Sequence, residues 1–522
     1  ANHNEPQYPH GSDLTAAQNP ILLGNTGVIA VGEGAADQQL SGGSVWFGAD
    51  SLLTINTALY EGSGLFQGEG SFTVEEGSQI HVNESTLGWG TYKISEGFES
   101  TDASGWYDHS HVSYAGDKDV DLIVQEDENG DIVLTVGSNN ITDKLPDVAI
   151  PNIVNEVISD ADRNTQEAGV KGFLAGAIEN GILAETMQAD TINNVSQIMA
   201  AGGVLVQGMT LVENVNDMVE RHLSYEDVHF QNGKLQSWDG VRLWANALGQ
   251  HIGGSDYDFT GANTDIDGYN TGFIFGADLA MTNGFRYGAA FAYQNANVDS
   301  NGSVVSTSND ADAYSFSLYG AKTFGLFNII GTASYTRVDS DLEQTLPGQL
   351  GALHGKHTMD VQNDIWSVGV KGEMYVDLTN TMALVPYVGV RAVSMKTDTS
   401  SSHLGGSKAF RYDTDTATQV QFPMGVTLQA STDVSGWTTR GLVDVSITPV
   451  AGDKDVDTAI TAFGLNARDI TTTEFSDDIT GAIRIGGSAE KDNFSFGGNV
   501  GVSTGGSRDA NVTFGLNARY RF

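Results

Sequence analysis

The sequence predicts an all-β chain ending in a twelve-stranded antiparallel transmembrane β-barrel, and three observations carry that reading. First, the last twelve residues alternate without a break. Val512, Phe514, Leu516, Ala518, Tyr520 and Phe522 fall on one face, and Asn511, Thr513, Gly515, Asn517, Arg519 and Arg521 on the other. Successive strand side chains point to opposite sides, so this is a strand with one apolar and one wet face. Second, the pattern recurs over spans near 240–252, 268–281, 285–297, 310–324, 326–339, 361–378, 382–396, 418–432, 437–450, 479–489, 492–503 and 509–522. Third, turn lengths alternate. Tiny turns such as Thr282-Asn283-Gly284, Gly325 and Thr379-Asn380-Thr381 follow even strands, while 253–267, 298–309, 340–360, 397–417 and 451–478 read as long loops. Short turns at one rim and long loops at the other mark a bacterial outer-membrane barrel, with the short rim periplasmic. Lipid offers no partner to a strand edge, so the sheet must close.

Composition narrows the function classes. The 522 residues carry a formal net charge of −41, which repels nucleic acid and argues against such a partner. Cys is absent, excluding disulfides, thiolate metal sites and a thiol nucleophile. Gly at 64 against Pro at 9 suits turn-rich β structure. Ala1 to Glu5 has neither a basic nor an apolar leader region, so a signal peptide is expected to lie outside these residues. The charge-free run Ser196 to Val212 is diluted by Gln197, Gly202, Gly203, Gln207 and Gly208, and falls short of the ~20 apolar residues a spanning helix needs.

The elements before the barrel follow in order. Residues 1–19 show no element pattern and read as a disordered or incomplete segment. Residues 20–140 are short β segments broken by glycine: Val28 to Val31, Ser44 to Phe47, Ser51 to Ile55, Ser71 to Val74 and Gln79 to Val82. They look like the rungs of a short right-handed parallel β-helix, with a small sandwich as the alternative. Asp121 to Val124 and Asp131 to Val136 read as a hairpin capping the stack. Residues 151–223 read as helical. Pro151 suits a first helical position, a break falls near Gly181, and a second run extends from about Ala189 to Leu223. Ile192, Val195, Ile198 and Met199, then Leu211, Val215, Met218 and Val219, form its apolar stripe, and Ala200 to Gly203 narrow it.

An even number of strands leaves both barrel ends, near 238 and 522, at the periplasmic rim. The preceding residues then stay in the periplasm or pass through the lumen. Glu213, Asn214, Asn216, Asp217, Glu220 and Arg221 give the second helix a polar surface suited to a lumen lined by Asn, Ser, Thr and Gly. About 20 helical residues span ~30 Å, enough to thread such a pore. An amphipathic helix packed on a periplasmic or surface domain is the alternative.

The β-helix end, the cap carrying Gly90-Thr91-Tyr92-Lys93-Ile94 and Gly130 to Val136, the helix, and a barrel opening with Trp238-Asp239-Gly240-Val241-Arg242-Leu243-Trp244 and finishing in Arg519-Tyr520-Arg521-Phe522 together resemble a monomeric autotransporter of type V secretion. The resemblance implies an outer-membrane translocator that exports and displays its own passenger at the cell surface. It implies contact with outer-membrane lipid and periplasmic chaperones, and insertion by the barrel-assembly machinery, which would read Tyr520 and Phe522. Many members cleave between paired Asn residues in the lumenal helix. Here the stretch reads Glu213-Asn214-Val215-Asn216 without the pair, and Asn193-Asn194 lies about twenty residues too early. An uncleaved or differently processed passenger, adhesive or structural, is expected. The alternative function is an outer-membrane channel whose N-terminal domain is not exported.

No catalytic, metal or cofactor site is expected. Gly501-Val502-Ser503-Thr504-Gly505 matches a nucleophile motif literally, but it sits where a barrel strand meets a short loop, whereas the motif needs a strand-to-helix turn. His109 and His111 could share a strand face for a metal, though a solvated loop explains them better. Asn263 to Gly268 begins like a calcium loop, but its twelfth position is Ile274 rather than Glu. A repeat of Phe463 to Arg468 at Phe514 to Arg519 suggests that 461–468 continues a strand above the membrane.

Overall fold

The computed structural model describes residues 21–23, 28–31, 40–41, 43–55, 64–82, 90–107, 111–114, 121–127, 129–137, 145–159, 169–179, 185–225, 230–231, 234–235, 240–301, 305–346 and 355–522. Residues 1–19, His109, Trp238 and Asp239 lie outside them. The chain divides into two compact units: residues 1–146, 154–167 and 171–181, and residues 147–153, 168–170 and 182–522.

In the first unit, short strands stack in parallel with their equivalents one coil later. Val45–Phe47 lies between Ile21–Leu23 and Ser71–Val74, and Leu52–Ile55 between Val28–Val31 and Gln79–Val82. A third parallel sheet joins Leu40–Ser41, Phe66–Gln67 and Ser95–Glu96. One face of Val45–Phe47, Leu52–Ile55, Ser71–Val74 and Gln79–Val82 meets in a shared interior, where Phe47, Phe66, Phe72 and Trp106 are fully buried. The Trp106 ring centroid lies 4.8 Å from that of Phe47. Its Nε1 donates to Ser78 Oγ at 2.9 Å, so the indole N–H is satisfied inside the core. The antiparallel hairpin Asp121–Glu126 and Ile132–Gly137 then pairs with Gly90–Lys93, ending the parallel stack with a differently directed sheet.

The second unit contains the barrel. Its staves are β1 (Gly240–Phe259), β2 (Ala262–Ala280), β3 (Phe285–Asn301), β4 (Ser306–Phe324), β5 (Phe327–Leu346) and β6 (Gly355–Met374). They continue as β7 (Met382–Thr397), β8 (Ala417–Gln421 resuming as Met424–Val434), β9 (Trp437–Gly452), β10 (Ile479–Lys491), β11 (Phe494–Thr504) and β12 (Asn511–Arg521). The predicted ring of twelve closes where β12 pairs antiparallel with β1, from Arg242↔Arg521 to His251↔Val512. Pro423, which has no N–H to give, falls at the interruption of β8. Between β8 and β9, Ser435 and Gly436 both take positive φ, the backbone a two-residue hairpin turn requires.

The outward face is apolar in mid-wall. Phe275, Phe316, Val368, Val390, Ile485 and Leu516 each leave a third or more of their surface uncovered by protein, Leu516 as much as 69%. In water such a belt would be unstable, but hydrocarbon covers it. At one rim sit Tyr293, Tyr314, Tyr335 and Trp366, with Tyr335 and Trp366 centroids 4.8 Å apart. At the short-turn rim sit Phe324, Phe327, Phe494, Tyr520 and Phe522. These are the two aromatic girdles of an outer-membrane wall.

The long connections depart from the expected loops. Residues 253–267 mostly continue β1 and β2, and the connections 397–417 and 451–478 carry antiparallel hairpins, Ser400–Leu404 with Ser407–Thr414 and Asp455–Ala462 with Arg468–Glu474. The hairpins join the taller staves. Ser400–Leu404 pairs with β6, Ser407–Thr414 with Asp455–Ala462, and Arg468–Glu474 reaches β1 at Phe259↔Thr473. A second ring of ten strands, a collar, thus stands above the girdle on the long-connection side. Composition misleads here because the outward positions, such as Asp310, Asp341 and Asp360, are as polar as loop residues, while cross-strand pairing still satisfies the backbone.

The helices are α1 (Pro151–Ser159), α2 (Val170–Glu179), α3 (Glu185–Ser196), α4 (Ile198–Ala201) and α5 (Val204–Leu223). Among the described residues no helix is long and apolar enough to cross a membrane. The single helix expected over about 189–223 is instead three, because Gln197 leaves helical geometry and Gly203 adopts φ +62°. A side chain at Gly202 would run into Leu342, so glycine there brings the chain against the wall.

Candidate functional site

The site is the bore and the helix inside it. Around the Val204 end of α5 pack Tyr257, Ile266 and Val298, collar-side residues of β1, β2 and β3. Asn309 Nδ2 donates there to Gly202 O at 3.0 Å and to Gln207 Oε1 at 2.7 Å. At the other end Asn328 Nδ2, beside the β4–β5 turn, donates to Leu223 O at 3.1 Å, and Tyr225 Oη donates to Leu326 O at 3.1 Å. The chain therefore runs once down the bore, from the collar to the short-turn rim. The bore is not uniformly polar as expected. Its upper half is an apolar core of Leu205, Met209 and Val212 against Ile252, Ile365, Val393 and Met395.

Glu213, Asn214, Asn216, Asp217 and Glu220 all bond to the wall. Glu213 Oε1 accepts from Gln421 Nε2 at 2.9 Å, and its Oε2 accepts from the Arg508 guanidinium at 3.2 Å. Asn214 Nδ2 donates to Gln250 Oε1 at 2.7 Å. Asn216 lies between Ser367 Oγ and Ser334 Oγ, each at 2.9 Å. Arg391 Nη2 reaches Glu220 Oε1 at 2.7 Å and Asp217 Oδ1 at 3.1 Å. Arg221 approaches Asp217 at 3.9 Å along the same helix. Glu213, Asp217 and Glu220, spaced i, i+4, i+7, share one face, and a cavity of about 170 Å³ beside it is lined opposite by Lys371, Arg391, Arg484 and Arg508.

Sequence reasoning missed the lower anchor. His222 Nε2 lies 2.9 Å from Asp278 Oδ2 and 2.8 Å from Arg242 Nη2, and its ring stacks on Trp244 at 4.1 Å. Arg242 donates to the same carboxylate through Nε at 3.0 Å and Nη2 at 2.6 Å. Glu373 then holds the chain as it leaves the helix, accepting from Ser224 Oγ at 2.9 Å and Tyr225 N at 2.8 Å. Strand parity was the available signal: Arg242 shares the alternate face of β1 with Trp244, and Glu373 that of β6 with Lys371.

Tyr520 and Phe522 end the closing strand side by side, ring centroids 4.9 Å apart, and Phe522 N donates to Val241 O at 3.0 Å across the seam. Asn193 and Asn194 are buried in α3, away from the bore helix. Ser503 lies in β11, Asn263 to Gly268 in β2, and His111 Nδ1 is 2.7 Å from Gly105 O. No cluster of three or more metal-ligating side chains occurs among the described residues.

Residues 243–501 match the family profile Autotransporter beta-domain. The chain carries an autotransporter β-domain. The autotransporter is similar in fold to the translocator domain of NalP from Neisseria meningitidis, at 12% identity and TM-score 0.45, covering 62% of this chain and 99% of that one. It is also similar to the transport unit of AIDA-I from Escherichia coli, at 14% identity and TM-score 0.43, with 62% and 99% covered. The β-domain of the Bordetella autotransporter BrkA gives 13% identity and TM-score 0.39, with 54% and 100% covered. No curated relative matches the sequence. The barrel of this autotransporter is an outer-membrane translocator, its apolar belt in contact with lipid.

Proposed function

We propose that this autotransporter exports the N-terminal unit and displays it, uncleaved, at the cell surface as an adhesive or structural passenger without enzymatic activity. The observation that carries the reading is the direction of the chain, which descends the bore once, from the collar at Gly202 to the short-turn rim at Tyr225. With the short turns periplasmic, residues before the helix lie on the outer side. A channel with a periplasmic N-terminal domain would need the opposite entry. The missing Asn pair in Glu213-Asn214-Val215-Asn216 supports an uncleaved chain. So does the Asn214 amide, engaged by Gln250 and Gln294. Tyr520 and Phe522, exposed at the periplasmic rim, are the proposed signal for the barrel-assembly machinery, with periplasmic chaperones carrying the unfolded chain there.

Protease shaving of intact cells tests the reading. Loss of residues 1–140 with the barrel spared is expected. Their survival until the outer membrane is permeabilised overturns surface display in favour of the channel.

A further inference from the structure

One segment upstream of the bore is held more closely than passage through a pore requires. Residues 147–153 run between α3 and two parts of the collar, the tip of the β1–β2 hairpin and the arm Arg468–Glu474. Asn193 lies at the centre. Its Oδ1 accepts from Ala149 N at 2.7 Å, while its Nδ2 donates to Asp147 O at 2.7 Å and Gly261 O at 2.9 Å. Asp469 takes the start of α1. Its Oδ1 accepts from Asn152 N at 3.1 Å and its Oδ2 from Ile153 N at 2.9 Å, satisfying two amides that a helix leaves without internal partners. Asn152 Nδ2 also donates to Arg468 O at 3.2 Å. Val148, Ala149, Ile150 and Ile153 are buried. Gly261 has φ +75°, and a side chain there would strike the Asp147 carbonyl and the Asn193 amide. The hairpin tip is thus shaped to receive this segment.

We propose that the collar is a noncovalent dock for residues 147–153 of its own chain, retaining everything N-terminal to them even when the backbone between α1 and α3 is broken. Asp469 and Asn193 are its positioning residues. They come from strands and helices far apart in sequence, so the dock does not depend on the continuity of residues 154–184. A cut there leaves both halves of the contact in place. The surface meaning of this retention rests on the proposed display of the N-terminal unit, but the dock itself does not, and the two fail separately in purified protein.

The test inserts a site-specific protease sequence into the connection 160–168 of the full chain, cuts the protein purified in detergent, and follows both fragments by size exclusion. The N-terminal fragment is expected to co-elute with the barrel, and to leave it in the cut double variant Asp469→Ala, Asn193→Ala, whose barrel keeps its heat-modifiable mobility. A synthetic peptide of residues 145–159 in excess is expected to speed fragment loss from the cut wild type, a readout independent of any variant folding. Immediate release from the cut wild type overturns the dock. Undiminished retention in the double variant, or indifference to the peptide, overturns its assignment to this segment.

Discussion

Among single residues, the bore shows which polar groups decide the outcome. Arg391 is almost fully enclosed, with side-chain exposure of 5%, and serves Glu220 at 8%. Removing one member of a buried pair strands the other charge, which costs ~3–5 kcal/mol, whereas an exposed pair is worth far less. Arg391→Ala is therefore expected to lower the temperature at which the barrel loses its heat-modifiable mobility. Adding Glu220→Gln should restore much of the loss. His357, in the collar beyond the membrane, gives a pH signature. Burial, helped by the nearby His403, pushes its imidazole down to about 3 from 6.5. Its Nδ1 meets Gln344 Oε1 at 2.8 Å, and Nε2 is enclosed without a partner. The unfolded chain takes up the proton first, so this contribution is fully present above pH 6.5 and is lost as pH falls towards 3, by up to ~1.4 kcal/mol per unit. Thermal melts between pH 7 and 5 should show the slope, and His357→Gln should flatten it.

Elements show a division of labour within one sheet. β10, β11 and β12 have 13, 11 and 11 residues, enough for a tilted strand to cross a membrane. β1, β5 and β6 have 20 each and rise past the girdle into the collar. The hairpin Ser400–Thr414 fills part of the collar wall where shorter staves stop. Replacing it with a tight turn is expected to leave the twelve-stranded ring folded while opening α3 and α4 to proteolysis. Unchanged resistance at residues 185–201 would contradict that division. The short-turn register was legible because glycine and asparagine mark such turns directly. Collar strands were not, since outward aspartates such as Asp310 and Asp341 look the same on a solvated strand as in a loop.

Across the whole molecule, closure joins the first stave to the last. The seam leaves Phe522 exposed beside Tyr520, with its backbone N–H bonded across to Val241. Deleting Phe522 removes one seam hydrogen bond and, on the proposed reading, the assembly signal. Yield of folded barrel in the outer membrane is expected to fall sharply in cells, while the same chain still refolds in detergent. An equal loss in both would point to stability alone. By itself the sequence determined the barrel, its strand number and the polar helix face, because alternation and turn chemistry are local and survive in one dimension. Only the tertiary structure decided that Arg391, Arg508 and the His222–Asp278–Arg242 cluster grip that helix, that the upper bore is apolar, and that Asp469 meets the amide of Ile153. Those partners lie up to 316 positions apart along the chain, and no periodicity records which inward residues a closed ring will bring face to face.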